Sequence, residues 1–308
     1  MEELLTALMI GLANGLIIAL IAIGYTLVYG ILELINFAHG DVFMLGTAFT
    51  FFALGFIVDG LGLEARSTAA LAATFIALPF IMLLTAVINA SIERAAYRPL
   101  RNAPRLAPLI SAIGMSFVLL NVGLILLGPS QRAVPPVMPK ETVIAFPSGA
   151  EFIGTEHIIV AAVTVPLLLL LRWFVGSTRQ GKAMRATAQD REASGLMGID
   201  VNRTISLTFL IAGALAGAAG LVVALYYGQT NFNFGFQFGL LSFTAAVLGG
   251  IGNLTGATFG GIVIGLIMAM SDRYLEARWT SVIVFSILIL VLIFRPTGLL
   301  AEKQSERA

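Results

Sequence analysis

The 308-residue sequence contains no cysteine. A disulfide framework, a thiolate metal site and a cysteine nucleophile are therefore excluded. It has two histidines, His39 and His157, and no HExxH pair, which removes the common helical zinc site. Charge is also scarce: Asp, Glu, Lys and Arg make up 11% of the residues, against about a quarter in a soluble domain. The formal net charge of +1 gives no electrostatic case for nucleic acid. Residues 1–6 hold Glu2 and Glu3 and no basic group, unlike a cleaved secretory signal. The first apolar stretch is expected to remain as a membrane span.

What is abundant is apolar surface: 58% of the residues are hydrophobic and the mean hydropathy is +0.95. A soluble fold of this length has no interior large enough for that, whereas hydrocarbon accepts it. A spanning helix needs about 20 mostly apolar residues. Candidate spans are 5–29, 40–58, 68–91, 107–127, 157–175, 205–227, 239–251, 255–271 and 280–294. Two of them, 239–251 and 255–271, are short and glycine-interrupted, and read as two half-spans or one broken hairpin. The runs are continuous rather than alternating, which favours helices over a β-barrel. The expected fold is an all-α, polytopic membrane helix bundle of nine spans, within a range of eight to ten. It is read as a single transmembrane domain over 1–308, with broken helices and a weak internal pseudo-repeat.

Charge sorts the connections. Arg94, Arg98, Arg101 and Arg105 cluster in one; Arg172, Arg179, Lys182, Arg185, Arg191 and Arg203 in a second; Arg295, Lys303 and Arg307 in the tail. Arg66, Arg132, Lys140, Arg273 and Arg278 are scattered among the alternate connections. The positive-inside rule places the first set in the cytoplasm, with the N-terminus external and the C-terminus cytoplasmic. Residues 128–156 contain Pro129, Pro135, Pro136, Pro139 and Pro147 and are expected to form an extended external loop. Residues 176–204 have no proline and are expected to form short cytoplasmic helices.

Polar, glycine-containing interruptions occur early, at 36–41, and late, at 249–256. Paired interruptions of this kind point to a pathway at a repeat interface. Glu33, Asn36, His39 and Asp41, with Asn253 in the second interruption, are the candidate translocation-path residues. An ionisable group at the bilayer centre costs about 2.5–3.5 kcal/mol on the insertion scale and persists where it meets a cavity or a partner. The competing reading places 33–41 at the wet cytoplasmic interface, with no path role. A catalytic role for His39 with Asp41 has no supporting motif.

Residues 176–183, Gly-Ser-Thr-Arg-Gln-Gly-Lys-Ala, approach the phosphate-binding loop pattern and fail it. Ala183 replaces the magnesium-binding Ser or Thr, and no strand precedes the segment. ATP binding by this chain is rejected; the glycine reads as a helix stop and the lysine as an inside anchor. The segment continues through Arg185, Asp190, Glu192, Ala193, Ser194 and Gly198 with small and apolar residues at helical spacing. That pattern suits a short amphipathic helix, set either in a groove of a soluble partner or on the membrane surface. Gly213 with Gly217, Gly252 with Gly256, Gly256 with Gly260 and Gly261 with Gly265 form small-xxx-small pairs for close helix packing. Tyr226, Tyr227, Phe232, Phe234, Phe236 and Phe238 are expected as an interfacial aromatic belt, the alternative being an aromatic vestibule.

Several of these stretches resemble a known family. Residues 22–30 (AIGYTLVYG) and 35–41 (INFAHGD), then 92–99 (IERAAYRP), 109–116 (LISAIGMS), 244–252 (TAAVLGGIG) and 295–298 (RPTG) are similar, in order, to the branched-chain amino-acid ABC permeases. The likeness is to the shorter, LivH type. It implies a non-catalytic permease subunit in the bacterial inner membrane. Its implied partners are a second permease of the LivM type or a second copy, two cytoplasmic ATPase subunits that use ATP, and a periplasmic binding protein delivering leucine, isoleucine or valine. No cofactor is expected on this chain. Glu192-Ala193-Ser194 followed by Gly198 is similar to the EAA-xxx-G core of importer coupling loops, with Ser194 in place of the second alanine and the distal Ile-Leu-Pro ending absent. A urea or short-amide importer permease is the alternative within the class. An ion-coupled secondary carrier is the alternative outside it, disfavoured because nearly all acids lie at predicted span ends or in loops.

Overall fold

The computed structural model describes residues 1–300 except Asn102, Arg105, Lys140, Gly149, Ala150 and Pro296. The sequence-based assignments to Arg105, Lys140, Pro296, Lys303 and Arg307 lie outside the described residues. The chain is a helix bundle. α1 runs Glu2–Leu32, α2 Ala38–Gly55, α3 Thr68–Ile92, α4 Leu106–Leu127, α5 Thr155–Ser177, α6 Arg179–Gln189 and α7 Arg191–Leu196. α8 runs Val201–Tyr227, α9 Phe234–Gly249, α10 Leu254–Tyr274 and α11 Ala277–Phe294. Beyond its last α-helical turn, α2 continues as a wider π-helical turn, Phe56–Gly60; α3 continues through another, Glu93–Tyr97. Among the described residues, eight helical stretches are long and apolar enough to cross a membrane, and α9, at 16 residues, is a shorter apolar helix.

Local chemistry sets several boundaries. Ser67, Thr178, Asp190, Asp200 and Asn253 each cap the helix that follows, accepting from a backbone N–H three residues on; such caps satisfy amides that have no partner within the helix. Gly176 stays helical, so the expected stop comes two residues later, at extended Thr178. Gly181 lies against the carbonyl oxygens of Phe174 and Val175, where a Cβ has no room. Residues 128–154 carry three short strands, β1 Arg132–Ala133, β2 Thr142–Ala145 and β3 Glu151–Gly154. β2 and β3 pair with each other, and β1 pairs with β4, Gln229–Thr230.

α1, α2 and α8 form the enclosed centre, with α9 packed on α1 and α2 and α10 packed on α1 and α9. Small residues make that possible. Cβ atoms on Gly11 and Gly15 of α1 would meet Leu266 and Ile262 of α10. α8 presents Gly217 to α3 and Gly220 to the backbone of α2 at Gly46. Without a hydrophobic drive between helices in lipid, such close approach supplies the dispersion contacts. α3, α4, α5 and α11 form the periphery. Their exposed Ile76, Phe80, Ile125, Leu169 and Phe294 are what a hydrocarbon solvent leaves outside.

One end of the bundle collects the arginine-rich segments. There Arg101 bonds Glu93 and Asn202, Arg191 bonds Ile31, and Asn253 bonds Leu300. The opposite end carries the short strands and the Glu3–Arg273 ion pair that joins the start of α1 to the end of α10.

Candidate functional site

The helical path breaks twice at the arginine-rich end. α1 stops at Leu32, and Glu33 turns the chain in the left-handed region at φ 54. That conformation is uncommon for a residue with a Cβ, and it redirects the backbone into α2. The second break, 250–253, separates α9 from α10, with Gly250 at φ 105 and Gly252 at φ 98. The two breaks adjoin: a Cβ on Gly30 would lie 3.6 Å from the Cα of Gly252. Gly252 thus departs from its expected place in a helix seam. It lies in the turn, and no atom beyond its immediate chain neighbours comes within 4 Å of where its Cβ would be. Of the other small-residue positions, Gly213 and Gly217 face α3, while Gly256 and Gly260 face Gly249 and Ala245 of α9.

The polar residues of the first break divide into two groups. Glu33 is exposed and lines a cavity of about 420 Å³ with Arg101, Asp190, Arg191 and Glu192. Asn36, His39 and Asp41 are buried, at 2%, 0% and 3% exposure. Asn36 accepts from the Tyr97 hydroxyl at 2.8 Å. His39 fills the notch left by Gly24 and stands edge-on to Tyr25, ring centroids 4.8 Å apart. Among the described residues, neither of its ring nitrogens has a hydrogen-bond partner of good geometry. Asp41 accepts from Ser116 Oγ at 2.5 Å, halfway along α4, so the carboxylate lies well within the bundle.

Asp41 also faces a second helix start. A Cβ on Gly235, in the first turn of α9, would fall 2.5 Å from its Oδ1. Asp41 is itself in the first turn of α2. The amino-terminal ends of α2 and α9 therefore both bear on one carboxylate, where aligned backbone dipoles favour negative charge. Gly235 and Gly239 pack against Gly40, with the Tyr25 hydroxyl between them. The sequence reading missed Ser116, Tyr25, Tyr97 and this Gly235-xxx-Gly239 pair as site residues; the glycine spacing was the available signal.

A void of about 10 Å³ lies beside this cluster, among Tyr25, Tyr29, Asn36 and Phe243. That is at the lower limit for one water molecule and far too small for an amino acid. A cavity of about 490 Å³ lies at the other end among Glu2, Glu3, Asp272 and Arg273. Of the aromatic group, Tyr227, Phe234 and Phe238 pack inward, Phe238 on Phe43 at 5.5 Å, while Phe236 is exposed. Asn253 spends both amide atoms locally, capping α10 and donating to the Leu300 carbonyl at 2.7 Å.

A second polar constellation adjoins the first. Glu93, 0% exposed, accepts from Arg98, Arg101 and the Ser206 hydroxyl, joining α3 to α8. Burial draws the Arg101 guanidinium below its ordinary pKa, and the Glu93 carboxylate opposes that shift. Arg191, the first residue of α7, donates through Nε and Nη2 to the Ile31 carbonyl, at 3.2 and 2.7 Å. Ile31 is in the last turn of α1, immediately before the break. Arg185 donates to the Val175 carbonyl, Asp190 caps α7, and Ser194 is buried, while Ala193 and Glu192 are exposed. α7 ends on Leu196 and Met197, 89% and 83% exposed, and Gly198 at φ 83 turns the chain away.

Comparison with known proteins identifies a family. Residues 7–293 match the family described as branched-chain amino acid transport system / permease component. The chain is 41% identical to the high-affinity branched-chain amino acid transport system permease protein BraD of Pseudomonas aeruginosa, over 96% of this chain and 95% of that one. It is 40% identical to the LivH permease of Escherichia coli, over the same shares of each. A fructose import permease, FrcC of Rhizobium meliloti, is 24% identical over 60% of this chain and 54% of its own.

Proposed function

The chain belongs to the branched-chain amino acid transport permease family, and we propose that it moves leucine, isoleucine and valine inward across the bacterial inner membrane as the membrane subunit of an ATP-driven importer. It is a multi-pass, non-catalytic transport subunit. Its partners in this reading are a second permease, of the LivM type or another copy, two cytoplasmic ATPase subunits and a periplasmic binding protein. The arginine-rich end is cytoplasmic, as the positive-inside rule requires.

One observation carries the mechanism: Arg191 ties the start of α7 to the last turn of α1, beside the break that leads to Asn36, His39 and Asp41. ATP-driven closure of the ATPase pair moves α6 and α7. That displacement reaches the carboxyl end of α1 through Arg191, and the α3–α8 pair through Arg101 and Asn202. The bundle rocks, and the two adjoining breaks separate; this is alternating access around a site made by discontinuous helices. The void beside the cluster is too small for solute, so in this reading a solute passes the cluster only when that movement opens it. Leu196 and Met197 are the apolar anchors that an ATPase groove takes up. The partial likeness to a fructose permease fits a common scaffold whose solute is selected mainly by the binding protein.

The test is reconstitution with the co-expressed subunits, reading ATP hydrolysis stimulated by leucine-loaded binding protein. Glu192→Lys, Gly198→Trp and a Leu196→Asp/Met197→Asp pair are expected to abolish stimulation and uptake while the binding protein keeps its affinity for leucine. Normal uptake by all three would remove the coupling assignment.

A further inference from the structure

A two-part cavity at the arginine-rich end borders the two breaks, with Gly30, Ile31 and Gly252 on the rim of its polar part, but its basic and apolar walls have no part in the mechanism above. Its apolar part, about 240 Å³, is a slot between α5 and α10 floored by Ile23 of α1, with Leu168, Leu171, Phe259 and Ile262 among its walls. Its polar part, about 360 Å³, is lined by Arg172, Arg185, Thr26, Asn253 and Thr255. The two parts share Arg172, Leu254 and Thr255, so they form one continuous amphipathic recess. Among the described residues, no carboxylate lines either part. Arg172 is exposed and has no hydrogen bond or ion pair among the described residues, while Arg185 spends one donor on Val175. Trp173 follows Arg172 and is 61% exposed, which fixes this level at the headgroup boundary where indole rings reside.

We propose that this recess binds one anionic phospholipid from the leaflet at the arginine-rich end. The phosphodiester sits between Arg172 and Arg185, and an acyl chain lies in the slot against α10. Charge complementarity decides the occupant. Two guanidinium groups without a neighbouring acid attract a phosphate and disfavour a cationic or uncharged headgroup, and only a lipid supplies the hydrocarbon that the slot excludes from water. Because α6 contributes Arg185, the lipid braces the amino-terminal part of the 176–204 segment against α1 and α10. The site does not rest on the coupling proposal: it needs only that the chain is embedded in a bilayer.

The test is native mass spectrometry of the full chain with its co-purifying subunits, released from nanodiscs containing phosphatidylglycerol or phosphatidylcholine. Wild type is expected to retain one phosphatidylglycerol and to release phosphatidylcholine. Arg172→Gln should weaken retention about fivefold, and adding Arg185→Gln about fivefold more, from the usual contribution of a basic residue near an anionic surface. Arg172→Lys keeps the charge and should retain most of the lipid. Thr258→Phe fills the slot without altering charge and should also lose it. Equal retention of the two lipids by wild type would overturn the site. So would full retention by Thr258→Phe, loss by Arg172→Lys equal to that by Arg172→Gln, or displacement of the lipid by millimolar inorganic phosphate.

Discussion

Replacing Arg191 by alanine removes both N–H donors from the Ile31 carbonyl and leaves the last turn of α1 without its cationic neighbour. A hydrogen bond from a charged group contributes about 1.5–3 kcal/mol, and a cation at a helix carboxyl terminus about 0.3–1 kcal/mol. Here two donors share one oxygen and the side chain is half-buried, so about 2 kcal/mol is a fair total, or about 30-fold in an equilibrium constant. If the contact carries motion from α7 to the break, its loss disconnects the ATPase step from opening of the path. The complex reconstituted in proteoliposomes, with binding protein and radiolabelled leucine enclosed and ATP added outside, gives leucine release and phosphate release in one sample. Solute moved per ATP is expected to fall about tenfold or more in Arg191→Ala, within that energetic limit. Arg191→Lys, which keeps charge but not the two-pronged geometry, falls between. An unchanged transport-to-hydrolysis ratio in Arg191→Ala would refute the reasoning, because a merely structural contact lowers both rates together.

Asp41→Ala removes the acceptor of the Ser116 hydroxyl and the charge at two helix starts; transport is expected to drop about tenfold, in line with a lost charged hydrogen bond, with membrane insertion unchanged by protease protection. Glu93→Gln leaves Arg98 and Arg101 facing an amide. The expected destabilisation is about 2–3 kcal/mol, less than for a fully buried pair because Arg98 is 33% exposed, and is read as a lower midpoint in thermal denaturation; combining it with Arg101→Ala should give less than the sum of the two losses. Gly235→Leu drives a side chain into Asp41 and the α2 backbone and is expected to abolish monodisperse protein on size exclusion, whereas Gly55→Leu, where no atom lies within 4 Å of the added Cβ, should be neutral.

The spans were legible because lipid imposes one rule, a continuous apolar run of sufficient length, and each of the nine expected runs is a helix. The ends were less legible. α3 continues past the expected boundary at 91 as far as Leu100, because Glu93, Arg98 and Arg101 neutralise one another; taken singly along the sequence they look like loop residues. α9 starts at Phe234, ahead of the expected 239, because 232–239, with Phe at every second position between Asn, Gly and Gln, does not look helical until Gly40 supplies the facing surface. The interruption at 33–41 was visible as a polar island, but its depth was not. The contacts with Ser116 of α4 and Gly235 of α9 place Asp41 inside the bundle while Glu33 stays outside. The link from Arg191 to Ile31 spans 160 positions, and no local pattern encodes a contact between an arginine and a backbone carbonyl so distant.

The most direct test is the side of the membrane on which α7 lies. The chain has no cysteine of its own, so a single Leu196→Cys substitution gives one thiol, and Ala145→Cys marks the opposite end. An impermeant maleimide applied to intact spheroplasts is expected to label Ala145→Cys and to spare Leu196→Cys until the membrane is opened. Labelling of Leu196→Cys from outside would put α6 and α7 beyond the reach of any cytoplasmic ATPase and contradict the account.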